Sequence, residues 1–283
     1  MKFKCFKTGE ILDPDLCIKC SEEEVNQKLG CTLDPAILQA IKRMREEDRK
    51  GLSVTMLTGC LRKVVLLDLL DIPINPEKAY WMFRGQLAHA IVETTREPDV
   101  IKERRLWGEY KGVKFSGKFD WWNPKTGLLK DYKSTKQVVH KYSPVKAHVA
   151  QLNLYAELIR YNIADEGRTI RRMNETLPEE ERWTEKEINA LLNGKVTRAK
   201  IVQFDMETVS IKAVPLWTNR KVLEYLDETL VVLDEALKNN TLPPYKEIYL
   251  CNGYCEVNRR CRSIYRKELM DKKRIEKTQL EVK

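Results

Sequence analysis

One stretch of this sequence dictates its own local fold. The run Gly117-Lys118-Phe119-Asp120-Trp121-Trp122 alternates apolar and polar residues, halts at Asn123-Pro124-Lys125-Thr126-Gly127, and resumes in Leu128-Leu129-Lys130-Asp131-Tyr132-Lys133-Ser134. Strand-like runs on both sides of a turn cluster containing Pro and Gly predict a β-hairpin. Side chains at i and i+2 of a strand share a face, so Asp131 and Lys133 point the same way, and antiparallel pairing brings Asp120 alongside them. Two carboxylates beside an ammonium suit a hard divalent cation and the phosphate it polarises. The same charges also read as a sheet edge protected against aggregation, so the surroundings must decide.

Those surroundings predict an α/β protein. At 283 residues with 42% hydrophobic content, the chain can bury a core for one large domain with appendages. Residues 52–70 carry an apolar helical pattern containing Cys60, and Pro73 and Pro76 separate it from a second helix at 77–96. Strands fill 100–134, a helix spans 144–161, and a charged insert at 165–198 reads as mostly helical and exposed. Strands at 200–205 and 210–214 precede a long helix at 219–238, ended by Leu242-Pro243-Pro244. The expectation is a mixed central sheet flanked by helices at 51–265, an N-terminal Cys-rich extension with a helix at 1–50, and a tail at 266–283 too polar to pack. In that extension Asp34-Pro35 opens a helix carrying Ile37, Leu38, Ile41 and Met44.

Lys and Arg outnumber Asp and Glu by 51 to 42, giving a net charge of +9 and a pI near 9.0, a balance that favours a polyanionic partner. Acidic residues gathered at the hairpin leave the basic excess elsewhere, where Arg104, Arg105, Lys136 and Lys141 are candidates for phosphate contact or plain surface charge. The start, Met1-Lys2-Phe3-Lys4-Cys5-Phe6, lacks the apolar core of a signal peptide, and no run suits a bilayer span. The expected location is the cytoplasm, with no membrane partner. In a reducing compartment, eight cysteines point to metal or cluster ligation rather than disulfides.

Other motifs surround the hairpin in chain order. Gly85, His89 and Glu93 recur every four residues on one helix face, and Gln151 and Tyr155 share a face of another. Alone, each is ordinary. Together, Gly85-Gln86-Leu87-Ala88-His89, Gly117-x-x-Asp120, Asp131-x-Lys133 and Gln151-x-x-x-Tyr155 resemble the successive motifs of the RecB-like branch of the PD-(D/E)XK (restriction-endonuclease-like) nuclease superfamily. The resemblance covers about 52–261. Phe119-Asp120 replaces the namesake Pro-Asp and Asp131 replaces a Glu, both departures that this branch accepts. The resemblance implies that His89, Asp120 and Asp131, with the carbonyl of Tyr132, bind Mg²⁺ or Mn²⁺. Lys133 then positions or activates water and offsets charge on the phosphorane, Glu93 assists, and Gln151 and Tyr155 orient the site or the DNA backbone. It implies a metal-dependent DNA nuclease, an exonuclease on single-stranded or frayed ends, serving CRISPR adaptation or DNA recombination and repair in a cell or phage, with protein partners from those pathways. The competing reading is a noncatalytic DNA-binding or assembly subunit.

Cys60 precedes the nuclease-like motifs, and Cys251-x-x-x-Cys255-x-x-x-x-x-Cys261 follows them. One early and three late cysteines resemble the iron–sulfur staple of CRISPR-associated exonucleases and AddB-type nuclease domains. The resemblance implies a [4Fe–4S] cluster joining the two ends of the domain. The usual first late gap is two residues and here it is three, which keeps zinc open as the alternative. Cys5, Cys17, Cys20 and Cys31 make a second four-thiolate set with one C-x-x-C knuckle, a candidate structural zinc site or simply free thiols.

Overall fold

In the computed structural model, residues 2–5, 7–23, 33–47, 51–70, 73–76, 85, 87, 89, 90, 92, 94–135, 138, 145–205, 207–246, 251, 255 and 257–281 are described. A short hairpin, β1 (Phe3–Lys4) with β2 (Ile11–Leu12), begins the chain. Helices α1 (Pro14–Glu22) and α2 (Pro35–Glu47) follow, started by Asp13 and Asp34, whose side chains accept from Asp15 N and Ala36 N. Such caps satisfy backbone donors that the first helical turn leaves free. Phe3, Ile18, Leu38 and Ile41 form a small core of their own, and Lys4 N donates to Ile74 O at 2.7 Å.

The predicted hairpin is present within a larger sheet. Strands β3 (Ile101–Tyr110), β4 (Val113–Asn123) and β5 (Leu128–Ser134) run antiparallel in sequence order. Lys111 and Gly112, both at positive φ, make the tight β3–β4 turn, the two-residue geometry whose twist matches paired strands. Helix α5 (Lys146–Ala164) then crosses the sheet, so β6 (Arg198–Phe204) lies parallel to β5, and β7 (Val209–Val214) closes the order β3-β4-β5-β6-β7. A parallel neighbour requires such a crossover, because a tight turn can only reverse direction. The result is a five-stranded mixed sheet flanked by helices.

Packing of α5 on the sheet sets the position of the site. Leu152, Leu154, Tyr155, Leu158 and Ile159 are buried with Leu106, Phe119, Trp122 and Leu129, at about 1.5–3 kcal/mol for each large apolar side chain fully removed from water. Gly117 lets the helix come close. A Cβ there would meet Tyr155 Cε1 and Val54 Cγ2 at 2.8 Å each.

Three expectations need revision. The pattern at 52–70 is broken at Gly59-Cys60 into α3 (Val54–Thr58) and α4 (Leu61–Leu69). Gly59 ends α3 in extended backbone, and Cys60 is the residue at which α4 begins. The insert at 165–198 forms α6 (Arg168–Asn174), one 3₁₀ turn and α7 (Glu185–Leu192), but it is not wholly exposed. Ile170, Trp183, Ile188 and Leu191 join the main core, and Trp183 Nε1 donates to Arg105 O at 2.9 Å. Sparse apolar residues among charges hid this contribution. The long helix forms over the expected 219–238, as α8 (Asn219–Leu226) and α9 (Val232–Lys238) joined without a break by a π turn. The polar tail continues α10 (Asn258–Glu281), although residues 269–271 are exposed. Glu268 pairs with Arg62 at 2.8 Å. No helix among the described residues is long and apolar enough to cross a membrane.

Candidate metal centre

Strands β4 and β5 separate where the acidic residues begin. Their pairing runs from Asn123↔Leu128 to Trp121↔Lys130, so the next positions in register are Asp120 and Asp131. Here a side chain takes over a ladder role, as Tyr132 N donates to Asp120 Oδ2 at 2.6 Å. Asp131 is fully buried; its Oδ1 accepts from Lys133 Nζ at 2.8 Å, while its Oδ2 is shielded from solvent with no hydrogen-bond partner. A buried acceptor without a donor is costly, and an ordered water or a cation would satisfy it.

On the other side of Asp120 lies a residue that sequence motifs missed. Glu103 falls opposite Asp120 in the β3–β4 register, between the pairs Lys102↔Trp121 and Arg104↔Phe119, and its φ is 48° in mid-strand. A left-handed backbone at a glutamate costs of order 1–3 kcal/mol and is characteristic of functional positions. The Glu103 carboxylate is buried, with Oε1 3.0 Å from His89 Nδ1 and Oε2 3.0 Å from Lys118 Nζ. His89 Nδ1 is also 3.6 Å from Asp120 Oδ1. Ligand atoms of His89, Glu103 and Asp120 all lie within 4.8 Å of one another. A six-coordinate cation with bonds of about 2.1 Å sets adjacent donors about 3.0 Å apart, so these spacings and the mixed N/O donor set suit a divalent metal. The compact triad therefore contains Glu103 in the place expected for Asp131, whose carboxylate instead holds Lys133. Alternation alone gave no sign of Glu103, since a charged residue on a strand is usually solvent-facing.

Electrostatics tie the groups together. Burial, followed by the charge of Asp131, pushes the Asp120 carboxyl up to about 7, while Lys133 and His89 pull the other way. Burial would raise Glu103, yet His89 and Lys118 hold it below the usual carboxylate value. The Glu103 hydrogen bond raises His89 despite burial. Lys133 is deprived of water, which lowers its proton affinity, but Asp131 and Asp120 more than compensate and hold it above the ordinary lysine value. Gln151 and Tyr155, on one face of α5, are buried, and Gln151 Nε2 donates to Tyr155 OH at 2.7 Å. Burial, and then Asp120 and Asp131, keep the Tyr155 phenol protonated to well above its usual range. His148, one turn earlier, is a further residue that the motifs missed. Burial and Lys133 depress its imidazole to about 4.

Other expected residues divide. Tyr132 gives its N–H to Asp120. Glu93, Cys31, Lys136 and Lys141 lie outside the described residues. Arg104 is engaged by Glu187 and by the Glu180 carbonyl, whereas Arg105 gives one hydrogen bond to Ser116 and is half-exposed. Cys60, Cys251, Cys255 and Cys261 gather at the α4–α10 junction. Burial and the neighbouring Cys60 and Cys251 raise both Cys255 and Cys261, against opposing contributions including Lys63 and Arg62 respectively. Cys261 and Cys255 pack with Leu66 and Val257. Cys5, Cys17 and Cys20 belong to the N-terminal subdomain and are half-buried.

No protein-family model matches the chain, and no curated protein matches it. Among solved structures, one titled "Crystal structure of SSO0001" is similar at 14% identity with a TM-score of 0.45, covering 68% of this chain and 83% of that chain. A likeness this distant carries no argument about activity.

Proposed function

We propose that this protein is a metal-dependent phosphodiester hydrolase of the RecB-like PD-(D/E)XK kind, a DNA nuclease acting at single-stranded or frayed ends. One observation carries the reading. The buried, unpartnered Asp131 Oδ2 stands beside Asp120 at the point where β4 and β5 part, with Lys133 held on the other oxygen. A sheet edge protected by charge would leave these groups in water; here Asp120 and Asp131 are buried on interior strands.

His89, Glu103 and Asp120 would hold Mg²⁺ or Mn²⁺, with Asp131 Oδ2 as a further donor. When bound, such an ion lowers the pKa of water and neutralises phosphate oxygens. Lys133 stays charged and is aimed by Asp131, so it can orient an attacking water and offset charge gathering on the phosphate. Tyr155 remains a hydrogen-bond donor, fixed by Gln151, and can hold a phosphate oxygen from the α5 side. The β-β-β-α-β order also supports the reading, because the crossover puts α5 over the catalytic strands. Cys60, Cys251, Cys255 and Cys261 suit a [4Fe–4S] cluster or zinc that joins α4 to α10. Cysteines drawn from distant parts of the chain into one neighbourhood favour a soft-metal site, although among the described residues no three of their sulfur atoms lie within 4.8 Å of one another.

The test is degradation of end-labelled single-stranded DNA in Mg²⁺ or Mn²⁺. Activity should disappear in Asp131→Ala and in Lys133→Ala; activity persisting in both would overturn the assignment. Metal analysis and visible absorption after anaerobic purification decide between iron–sulfur and zinc.

A further inference from the structure

Helix α10 is divided into two opposite faces. Cys261, Ile264, Tyr265 and Glu268 face the protein: Cys261 and Ile264 join the cluster with Leu66 and Val257, Tyr265 stacks on Tyr245 at 4.0 Å, and Glu268 pairs with Arg62. At about 100° per residue, Arg259, Arg266 and Lys267 project from the other side. They line an open groove of about 490 Å³ with Arg262, Ser263 and Met270.

These cations differ from a group of others on the molecule. Lys42, Lys102, Arg104, Lys111, Lys118, Lys125, Arg160, Arg168, Arg171, Arg220 and Lys238 each have a carboxylate within ion-pair distance. Among the described residues, Arg259, Arg266 and Lys267 have none, and all three are exposed. A helix face that merely stays soluble is commonly laced with opposite charges at i, i+3 or i+4. From Arg259 to Lys267 this stripe presents one sign along an anchored helix, with Asp271 following one turn later.

We infer that the outward face of α10 is a docking rail for the phosphate backbone of a single-stranded nucleic acid. This rests on the nuclease reading for the choice of polyanion, and it assigns that substrate a second contact away from the metal centre. Residues 259–267 span about 12 Å at 1.5 Å per residue. At the duplex spacing of about 3.4 Å per phosphate along one strand, the most compact case, the rail can meet up to about three phosphates. Guanidinium groups suit phosphate through paired donors, and the exposed Met270 offers an apolar surface to a base.

The test is fluorescence anisotropy of a labelled oligothymidylate over a potassium chloride series, in EDTA so that nothing is cut. The triple variant Arg259→Gln, Arg266→Gln, Lys267→Gln keeps helix-forming residues, and circular dichroism checks its fold. Removing three phosphate contacts should lower the slope of log K against log salt by about 2 and weaken binding at low salt. A control replacing exposed Lys114, Lys125 and Lys186 by Gln should leave the slope unchanged. An unaltered slope in the α10 variant, or an equal fall in the control, overturns the rail. Loss of binding to phosphatidylserine vesicles with oligothymidylate binding intact also overturns it, by assigning the face to a membrane. Wild type that binds with the expected slope but cuts nothing in Mg²⁺ or Mn²⁺ overturns the nuclease reading and leaves the rail standing.

Discussion

Asp120→Asn should make the metal-free protein more stable at high pH while abolishing its response to metal. Asp120 is buried, and its carboxyl is displaced from the ordinary value near 3.8 to about 7 by burial and by Asp131. With 1.36 kcal/mol for each tenfold change in proton affinity, holding that carboxylate ionised in the folded state costs about 4 kcal/mol. The sign follows from proton counting. Between pH 4 and 7 the unfolded chain has released this proton and the folded chain has kept it, so this group's contribution to stability falls as pH rises through that window and is level above it. Asn has nearly the same shape, and its carbonyl can still accept from Tyr132 N, but it carries no charge. Urea unfolding in EDTA should therefore show wild type and variant similar at pH 4, with the variant gaining a few kcal/mol by pH 8. Adding Mn²⁺ at pH 8 should stabilise wild type alone, because binding to the folded state adds stability in proportion to the logarithm of metal over Kd. A variant equally destabilised at every pH, or one still stabilised by Mn²⁺, would refute the reasoning that this buried charge is compensated by a cation.

Glu103→Gln removes the carboxylate charge that links His89 and Lys118, and Mn²⁺ affinity measured by calorimetry should fall about 10–100-fold; unchanged affinity would remove Glu103 from the site. Gly117→Ala places a methyl against Tyr155 and Val54, and overpacking of this kind should cost about 1–3 kcal/mol in chemical unfolding. It should also displace Tyr155, seen as lower kcat. The Asp205 carboxylate accepts from the backbone N–H groups of Glu207, Val138 and Thr208, which hold it well below its usual value. Its contribution is present above the unfolded pKa near 3.9 and is lost as pH falls below that. Asp205→Ala should consequently destabilise the protein at pH 7 and lose its effect in strong acid; a constant difference at all pH values would contradict this.

The sheet was legible because its strands advertise themselves. Alternation around Asn123-Pro124-Lys125-Thr126-Gly127 predicted the β4–β5 hairpin, and the crossover helix carrying Gln151 and Tyr155 was visible as a long apolar pattern. Helix interruptions were harder to see, since Gly59-Cys60 disturbs hydrophobic periodicity little while ending the backbone ladder of α3. The insert's burial was hidden for a different reason: Ile170, Trp183, Ile188 and Leu191 are too widely spaced to form a pattern until α6 and α7 fold onto the sheet.

By itself, the amino-acid order determined that the strands on either side of residues 123–127 pair, and it placed Asp120, Asp131 and Lys133 near one another, because side-chain direction along a strand follows a local period of two. It also separated the cysteines into N-terminal and late groups. Only the tertiary structure decided that Glu103 lies opposite Asp120, that Asp131 spends one oxygen on Lys133 and leaves the other unpartnered, and that α10 turns its unpaired cations outward. Those outcomes depend on inter-strand register, burial and the competition among neighbouring charges. Each is set by groups distant in the chain, at separations of a few ångströms that no local pattern encodes.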